Sequence, residues 1–172
     1  MKAKIEAARG ICMTTGVLAD QARLASSEAE RATAKARQEL LTPIAKAWST
    51  DVGVEVASMG VQIHGGMGFI EETGAAQHYR DARIAPIYEG TNGIQAIDLI
   101  GRKVAMQDGA VMDALCAEMH ETAQALQGDP ALGGVAAHLE AGVAALERAT
   151  DWVLNNKGPN ALAGATPYLK LA

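Results

Sequence analysis

Two stretches of the sequence hold residue types that could do chemistry. The first, "IYEGTNGIQ" (87–95), sets a carboxylate, Glu89, between an aromatic side chain and a Gly-Thr pair. A loop containing Pro86 lies upstream and an apolar helical pattern begins downstream. A carboxylate just ahead of a helix is favoured by the positive end of the helix dipole, a purely structural role. If instead Pro86, Ile87 and Tyr88 surround Glu89 with apolar bulk, its pKa rises and it becomes a general base competent near neutrality. Spacing alone leaves both readings open. Glu71, Glu72 and Asp81 read as exposed loop charges or as partners for Arg80 and Arg83.

The second stretch is "QIHGGMGF" (62–69), in which a helical pattern stops at Gly65–Gly66 and another glycine follows at 68. Glycine after a helix is the ordinary stop signal, and it also lets backbone come close to something else. His64 is one of four histidines and has no Cys or His partner at metal-ligand spacing, so no metal site is expected.

The elements that must position these residues are helical. The chain has 172 residues, enough for one usable core, and only 3 % are aromatic. Ala, Leu, Glu, Gln and Arg dominate, all helix formers, and no stretch alternates apolar and polar residues as a strand does. Residues 1–25 carry Ile5, Ala8, Ile11, Cys12, Thr15, Leu18 and Ala22 on one helical face. "SSEAERATAKAR" (26–37) reads as a solvated linker or an exposed helical extension. Thr42 and Pro43 suit a cap and first position for a new helix, with Ile44, Trp48, Val52, Val56, Met59 and Ile63 as its buried stripe. "GMGFIEETG" reads as a loop, "TGAAQHYRDAR" as a short helix and "IAPIYEG" as irregular. Thr91 can cap the next helix, whose core face would be Ile94, Ile97, Ile100 and Val104, ending at Gln107-Asp108-Gly109. Two further stripes follow: Val111, Leu115, Met119, Thr122 and Leu126, then Val135, Leu139, Val143, Leu146 and Val153, joined by the turn "QGDPALGG". The last stretch, "NKGPNALAGATPYLKLA", starts something new. Amphipathic helices with short turns imply an all-α antiparallel helical bundle. The expected division is a bundle over 1–107 and a helical extension over 108–172.

The net charge of −5 disfavours nucleic acid as a partner, since phosphate binding needs a basic face. Cys12 and Cys116 read as small apolar core residues in a reducing compartment. No stretch is long and apolar enough to span a bilayer, and a soluble, cytoplasmic protein is expected.

Taken together, "QIHGGMGF", "YRDARIAP" and "IYEGTNGIQ" resemble the C-terminal helical domain of the flavin-dependent acyl-CoA dehydrogenases, in order, identity and separation. That likeness covers roughly residues 1–107. The tail from Met112 to Ala172, with "GATPYLKL", resembles the extra helical segment of a subgroup that includes methylthiopropanoyl-CoA dehydrogenase-like enzymes.

The resemblance implies that Glu89 is the base that removes the α-proton of an acyl-CoA while a β-hydride passes to FAD, giving a trans-2-enoyl-CoA. A flavin ribityl hydroxyl and the backbone N–H of the glutamate would polarise the thioester carbonyl. Gly90 would let the acyl chain approach, and Tyr88 would be a pocket wall. Thr91, Asn92 and Gly93 would stand at flavin-contacting positions, although many members carry Gln where this chain has Gly93. Gln62, His64, Gly65 and Gly66 would contact the FAD of a neighbouring subunit, which implies a homo-oligomer. The electron acceptor would be an electron-transfer flavoprotein. The uncapped start and apolar end are expected of a C-terminal fragment, and an isolated fragment without the remaining flavin-binding domains is expected to be inactive. Two competing readings are a non-catalytic helical oligomerisation or interaction module and a DNA-associated relative, the latter disfavoured by charge.

Overall fold

The computed structural model describes residues 1–156 and 158–172. Among the described residues there are helices and turns and no strand, as the composition predicts. The chain divides into two compact units, Met1–Ala96 and Ile97–Ala172.

The first unit is built on two long helices, α1 (Lys2–Leu24) and α2 (Glu28–Ile63). They run antiparallel: Lys4 pairs with Glu55 at 2.5 Å, and the Cys12 thiol meets the Ser49 hydroxyl at 3.4 Å. The reversal is sharp because Ser27 opens α2 with a reciprocal cap. Its hydroxyl accepts from the Glu30 N–H, and the Glu30 carboxylate accepts from the Ser27 N–H. Residues 26–37 are therefore mostly the first turns of α2. A stripe of half-buried residues, Ala8, Ile11, Thr15, Leu18 and Ala22, faces α2. Ile5 and Cys12, expected on that stripe, are exposed: cover by a neighbouring helix leaves the edges of a stripe in water.

The expected helix start at Thr42–Pro43 does not occur. The α2 helix runs through Pro43, and the Thr42 hydroxyl donates back to the Gln38 carbonyl at 2.7 Å instead of capping. An interior proline costs a helix about 3 kcal/mol. Leu40, Leu41 and Ile44 on either side are buried, each stabilising by roughly 1.5–3 kcal/mol, so burial outweighs the break. Of the predicted stripe, Ile44 and Val52 are buried, while Ile63, at the end of the helix, is exposed.

Beyond Gly65 the chain winds a single turn, α3 (Gly66–Phe69), and a 3₁₀ turn over Glu71–Thr73, where the sequence suggested an open loop. The Thr73 hydroxyl ties the two by donating to the Met67 carbonyl at 2.6 Å. Helix α4 (Ala75–Ala82) follows, then a run of turns to Gly90. The Arg80 guanidinium lies 3.5 Å from Glu71, and Asp81 accepts from the Gln77 amide.

Helix α5 (Asn92–Asp98) leads into a π-helical turn, Leu99–Lys103. Ile100 and Val104 are buried as predicted, but Ile94 and Ile97 are exposed. The buried face runs through Ala96 and Leu99 instead, one position round from the isoleucines. Gln107, Asp108 and Gly109 all take left-handed φ and stop the helical run where the sequence placed its end. Helices α6 (Ala110–Gln127) and α7 (Gly133–Asn155) form a hairpin. His120 on α6 lies 2.9 Å from Glu140 and 3.0 Å from Glu147, both on α7. Val111, Cys116, Val143, Leu146 and Val153 are buried; Thr122 and Val135, expected on the same faces, are exposed. Two short helices, α8 (Pro159–Ala163) and α9 (Ala165–Leu171), close the chain. The buried Tyr168 and Thr150 hydroxyls sit 2.7 Å apart. Lys157, in the stretch expected to open a new element, lies outside the described residues.

Candidate active-site loop

The stretch 84–92 is a compact series of turns. The N–H groups of Ile87 and Tyr88 donate to the Ile84 carbonyl at 2.9 and 3.1 Å, and the Asn92 N–H closes the loop on the Pro86 carbonyl at 3.1 Å. Glu89 lies at the apex with φ +54, and Gly90 follows with φ +83. Left-handed backbone costs a side-chain-bearing residue roughly 1–2 kcal/mol, and such outliers concentrate at functional sites. The Gln95 amide donates to the Glu89 carbonyl at 3.3 Å and holds the apex from one side. The backbone N–H groups of Glu89, Gly90 and Thr91 find no acceptor among the described residues. Three successive free donors therefore lie beside the carboxylate.

The Glu89 carboxylate is exposed, and Ile87 and Tyr88 flank it at about half exposure, 52 % and 51 %, without enclosing it. The apolar wrapping considered from the sequence is not made within this loop, because both side chains turn to the surface. Thr91 caps α5: its hydroxyl accepts from the Ile94 N–H at 3.3 Å and keeps its own proton to donate. Gly93 stands in the first turn of α5, and a Cβ there would make an ordinary 3.7 Å contact with the Thr91 hydroxyl.

Asn92 turns its amide into the protein. The two protons of its nitrogen are shared among the Ala47 carbonyl (3.0 Å), the Thr50 hydroxyl (3.0 Å) and the Asp51 carboxylate (2.8 Å), and its oxygen accepts from Lys46 (2.9 Å). The Lys46 ammonium also donates to the Gly90 carbonyl at 2.8 Å. One face of α2, Lys46 to Asp51, thus grips the loop. Sequence reasoning passed over Lys46, Thr50 and Asp51. A helical Lys-x-x-x-Thr-Asp carries no local signal for a partner more than forty residues away.

The glycine segment sits further along the same helix. Gln62 lies eleven residues beyond Asp51, about 16 Å at the helical rise of 1.5 Å per residue. Along α2, the glycine segment thus begins about 16 Å from the face that grips the Glu89 loop. The His64 Nδ1 lies 2.8 Å from the Gly60 carbonyl and must carry a proton there, leaving Nε2 facing away. The three glycines differ in their reasons. Gly65 has φ +60; a Cβ on Gly68 would fall 2.1 Å from the Val61 carbonyl oxygen; Gly66 has neither constraint, and a Cβ there would meet nothing within 4 Å. Gly66 leaves an open stretch of backbone that the chain's own packing does not explain. A groove of about 570 Å³ follows in the next turns, with an apolar wall of Val61, Phe69, Ile70 and Tyr79 and a charged one of Glu71, Glu72 and Arg80.

The profile of the acyl-CoA dehydrogenase C-terminal domain matches residues 1–105. The chain belongs to the acyl-CoA dehydrogenase family. It is 48 % identical, over 99 % of its length, to 3-methylmercaptopropionyl-CoA dehydrogenase of Ruegeria pomeroyi, of which it covers 30 %. It is 33 % identical, over 59 % of its length, to the CarC subunit of the caffeyl-CoA reductase-Etf complex of Acetobacterium woodii, covering 23 % of that protein. The solved apo-form of Bd2924 superposes with a TM-score of 0.67 at 20 % identity, over 97 % of this chain and 29 % of that one. The chain thus spans about three-tenths or less of these relatives. The likeness to Bd2924 is one of fold, and the family rests on the domain profile. Among the described residues, no helix is long and apolar enough to cross a membrane, and no group of metal-binding side chains gathers.

Proposed function

We propose that this chain is the C-terminal helical part of an FAD-dependent acyl-CoA dehydrogenase, and that Glu89 is its base. The observation that carries the reading is a carboxylate held at strained φ beside three unpaired backbone N–H groups, in a family member. An α-proton is too weakly acidic for a bare carboxylate, so the thioester carbonyl must be polarised as the proton leaves. The Glu89 N–H, which has no acceptor among the described residues, would donate to that oxygen. The carboxylate takes the α-proton, and Glu89 is left as the neutral acid. Bound FAD supplies the acceptor for the β-hydride, and the product is the trans-2-enoyl-CoA. Closure by other parts of the protein and by substrate would supply the dry surroundings that the exposed carboxylate needs.

The residues fit such a cofactor. Thr91 has a free hydroxyl proton, Gly93 keeps the start of α5 uncluttered, and Gly65–Gly66 offer backbone with nothing packed over it. Membership of the family supports assigning Gln62, His64, Gly65 and Gly66 to the FAD of a neighbouring subunit, and hence a homo-oligomer. Tyr88 and Gly90 stand on either side of the base as contacts for the acyl chain. The relation to the 3-methylmercaptopropionyl-CoA enzyme favours a short acyl-CoA as substrate, and that to the Etf-complex subunit favours an electron-transfer flavoprotein as acceptor. By itself the 172-residue chain carries the base and a backbone platform, and we expect neither retained flavin nor turnover from it. In the full-length protein, Glu89→Gln should retain flavin and lose about 10²–10⁴-fold in kcat. Unchanged turnover would remove Glu89 from the chemistry.

A further inference from the structure

A polar cluster on α2 faces the Glu89 loop. Lys46, Thr50 and Asp51 lie on one face of the helix, and the Asn92 amide is hooked into it by polar contacts of 2.8 to 3.0 Å with Lys46, Ala47, Thr50 and Asp51. The Thr50 hydroxyl donates to the Lys46 carbonyl at 2.8 Å, so the acceptor it offers Asn92 is itself fixed. Lys46 then reaches past Asn92 to the carbonyl of Gly90, the residue after the base. Both residues of the left-handed turn are held: the strained Glu89 by Gln95 on its carbonyl, Gly90 by Lys46 on its own.

We infer that Lys46 is a positioning residue for the reaction, acting through Gly90 and Asn92 to hold the Glu89 backbone in its left-handed turn. The inference rests on the reading of Glu89 as base. It also changes the expected role of Asn92. Its amide is occupied on both sides by α2, so it acts as the anchor of the loop and not as a ligand of the cofactor. Lys46 suits the task because an ammonium has three donors, two of which are used on two different carbonyl oxygens of the loop. A charged donor makes these bonds about twice as strong as neutral ones. Without it the Gly90 carbonyl is released, and the Glu89–Gly90 pair relaxes toward ordinary backbone. A shift of about 1 Å in the base is enough to cost on the order of 10²-fold.

The test uses the full-length flavoprotein with Lys46→Met, Asn92→Ala and Glu89→Gln side by side, reading flavin content, thermal midpoint, kcat, KM and the isotope effect for α-deuterated acyl-CoA. A positioning role predicts that Lys46→Met lowers kcat about 10- to 100-fold, with flavin content and midpoint near wild type and a larger isotope effect as proton removal becomes limiting. Asn92→Ala, from the other side of the clamp, should give the same signature if Lys46→Met does not fold. The double variant should cost less than the sum of the two. Wild-type kcat in Lys46→Met beside an inactive Glu89→Gln overturns the inference and leaves the base standing. Loss of activity only in step with flavin and midpoint also overturns it, in favour of a structural role. Full turnover in Glu89→Gln overturns the reading beneath.

Discussion

Alanine at Gly68 and alanine at Gly66 should have opposite effects, although the two glycines are separated by a single residue. A Cβ on Gly68 would lie 2.1 Å from the Val61 carbonyl oxygen and 2.9 Å from the His64 Cβ. Carbon and oxygen approach normally no closer than about 3.3 Å, so something must move by more than about 1 Å. Val61 belongs to α2 and its carbonyl cannot yield, so α3 must lift away. Overpacking of this kind costs about 1–3 kcal/mol, and rigid backbone on one side places Gly68→Ala near 3 kcal/mol. At 2–4 °C per kcal/mol that lowers the melting midpoint by roughly 6–12 °C. At Gly66 nothing lies within 4 Å and φ is ordinary, so Gly66→Ala should be neutral or gain up to about 1 kcal/mol. If the open backbone there receives a flavin, Gly66→Ala in the full-length protein should nevertheless weaken flavin retention. Urea denaturation and flavin content, measured together on both variants, read the two effects separately. Equal destabilisation by both, or a tolerated Gly68→Ala, would refute the packing argument. A stable Gly66→Ala with full flavin content would refute the functional one.

Other expectations follow from the same geometry. Glu89→Asn should stabilise the protein by up to about 1 kcal/mol, because Asn tolerates left-handed φ, while turnover is lost; a denaturant midpoint that falls would contradict the strain. His120 has its pKa raised above 6.5, first by hydrogen bonding to Glu140 and then to Glu147. Its folded-state pKa exceeds the unfolded one, so its contribution is complete below about pH 6.5 and is lost as pH rises through the raised value. Titration of its imidazole by NMR should give a value above the ordinary one that drops in Glu140→Gln. The Tyr168 phenol is pushed up to about 12 by burial. Tyr168→Phe leaves the Thr150 hydroxyl buried without this partner and should cost about 1–2 kcal/mol in urea denaturation.

Helix existence was legible in the sequence because apolar spacing carries it; helix faces and ends were less so. Ile94 and Ile97 look like core by type, yet Ala96 and Leu99 take the buried face, since burial depends on which side a neighbour covers. Thr42-Pro43 reads as a helix start because local rules ignore the burial that carries α2 through it. The capping box of Ser27 and Glu30 was available in "SSEAE" and marks the true start of α2. At the loop, Glu89 could be singled out by its neighbours, but its left-handed φ could not, because a turn at Gly90 needs no left-handed residue before it. The grip of Lys46 on Gly90 joins residues forty-four apart and exists only in three dimensions.

The central claim is that Glu89 moves the α-proton. The most direct measurement is exchange of that proton with deuterated water in a β-quaternary acyl-CoA, which has no β-hydrogen to transfer, incubated with the full-length flavoprotein and followed by NMR. The account predicts exchange in the wild type and a loss of about 10²-fold or more in Glu89→Gln at unchanged flavin content. Exchange at the wild-type rate in Glu89→Gln would contradict it.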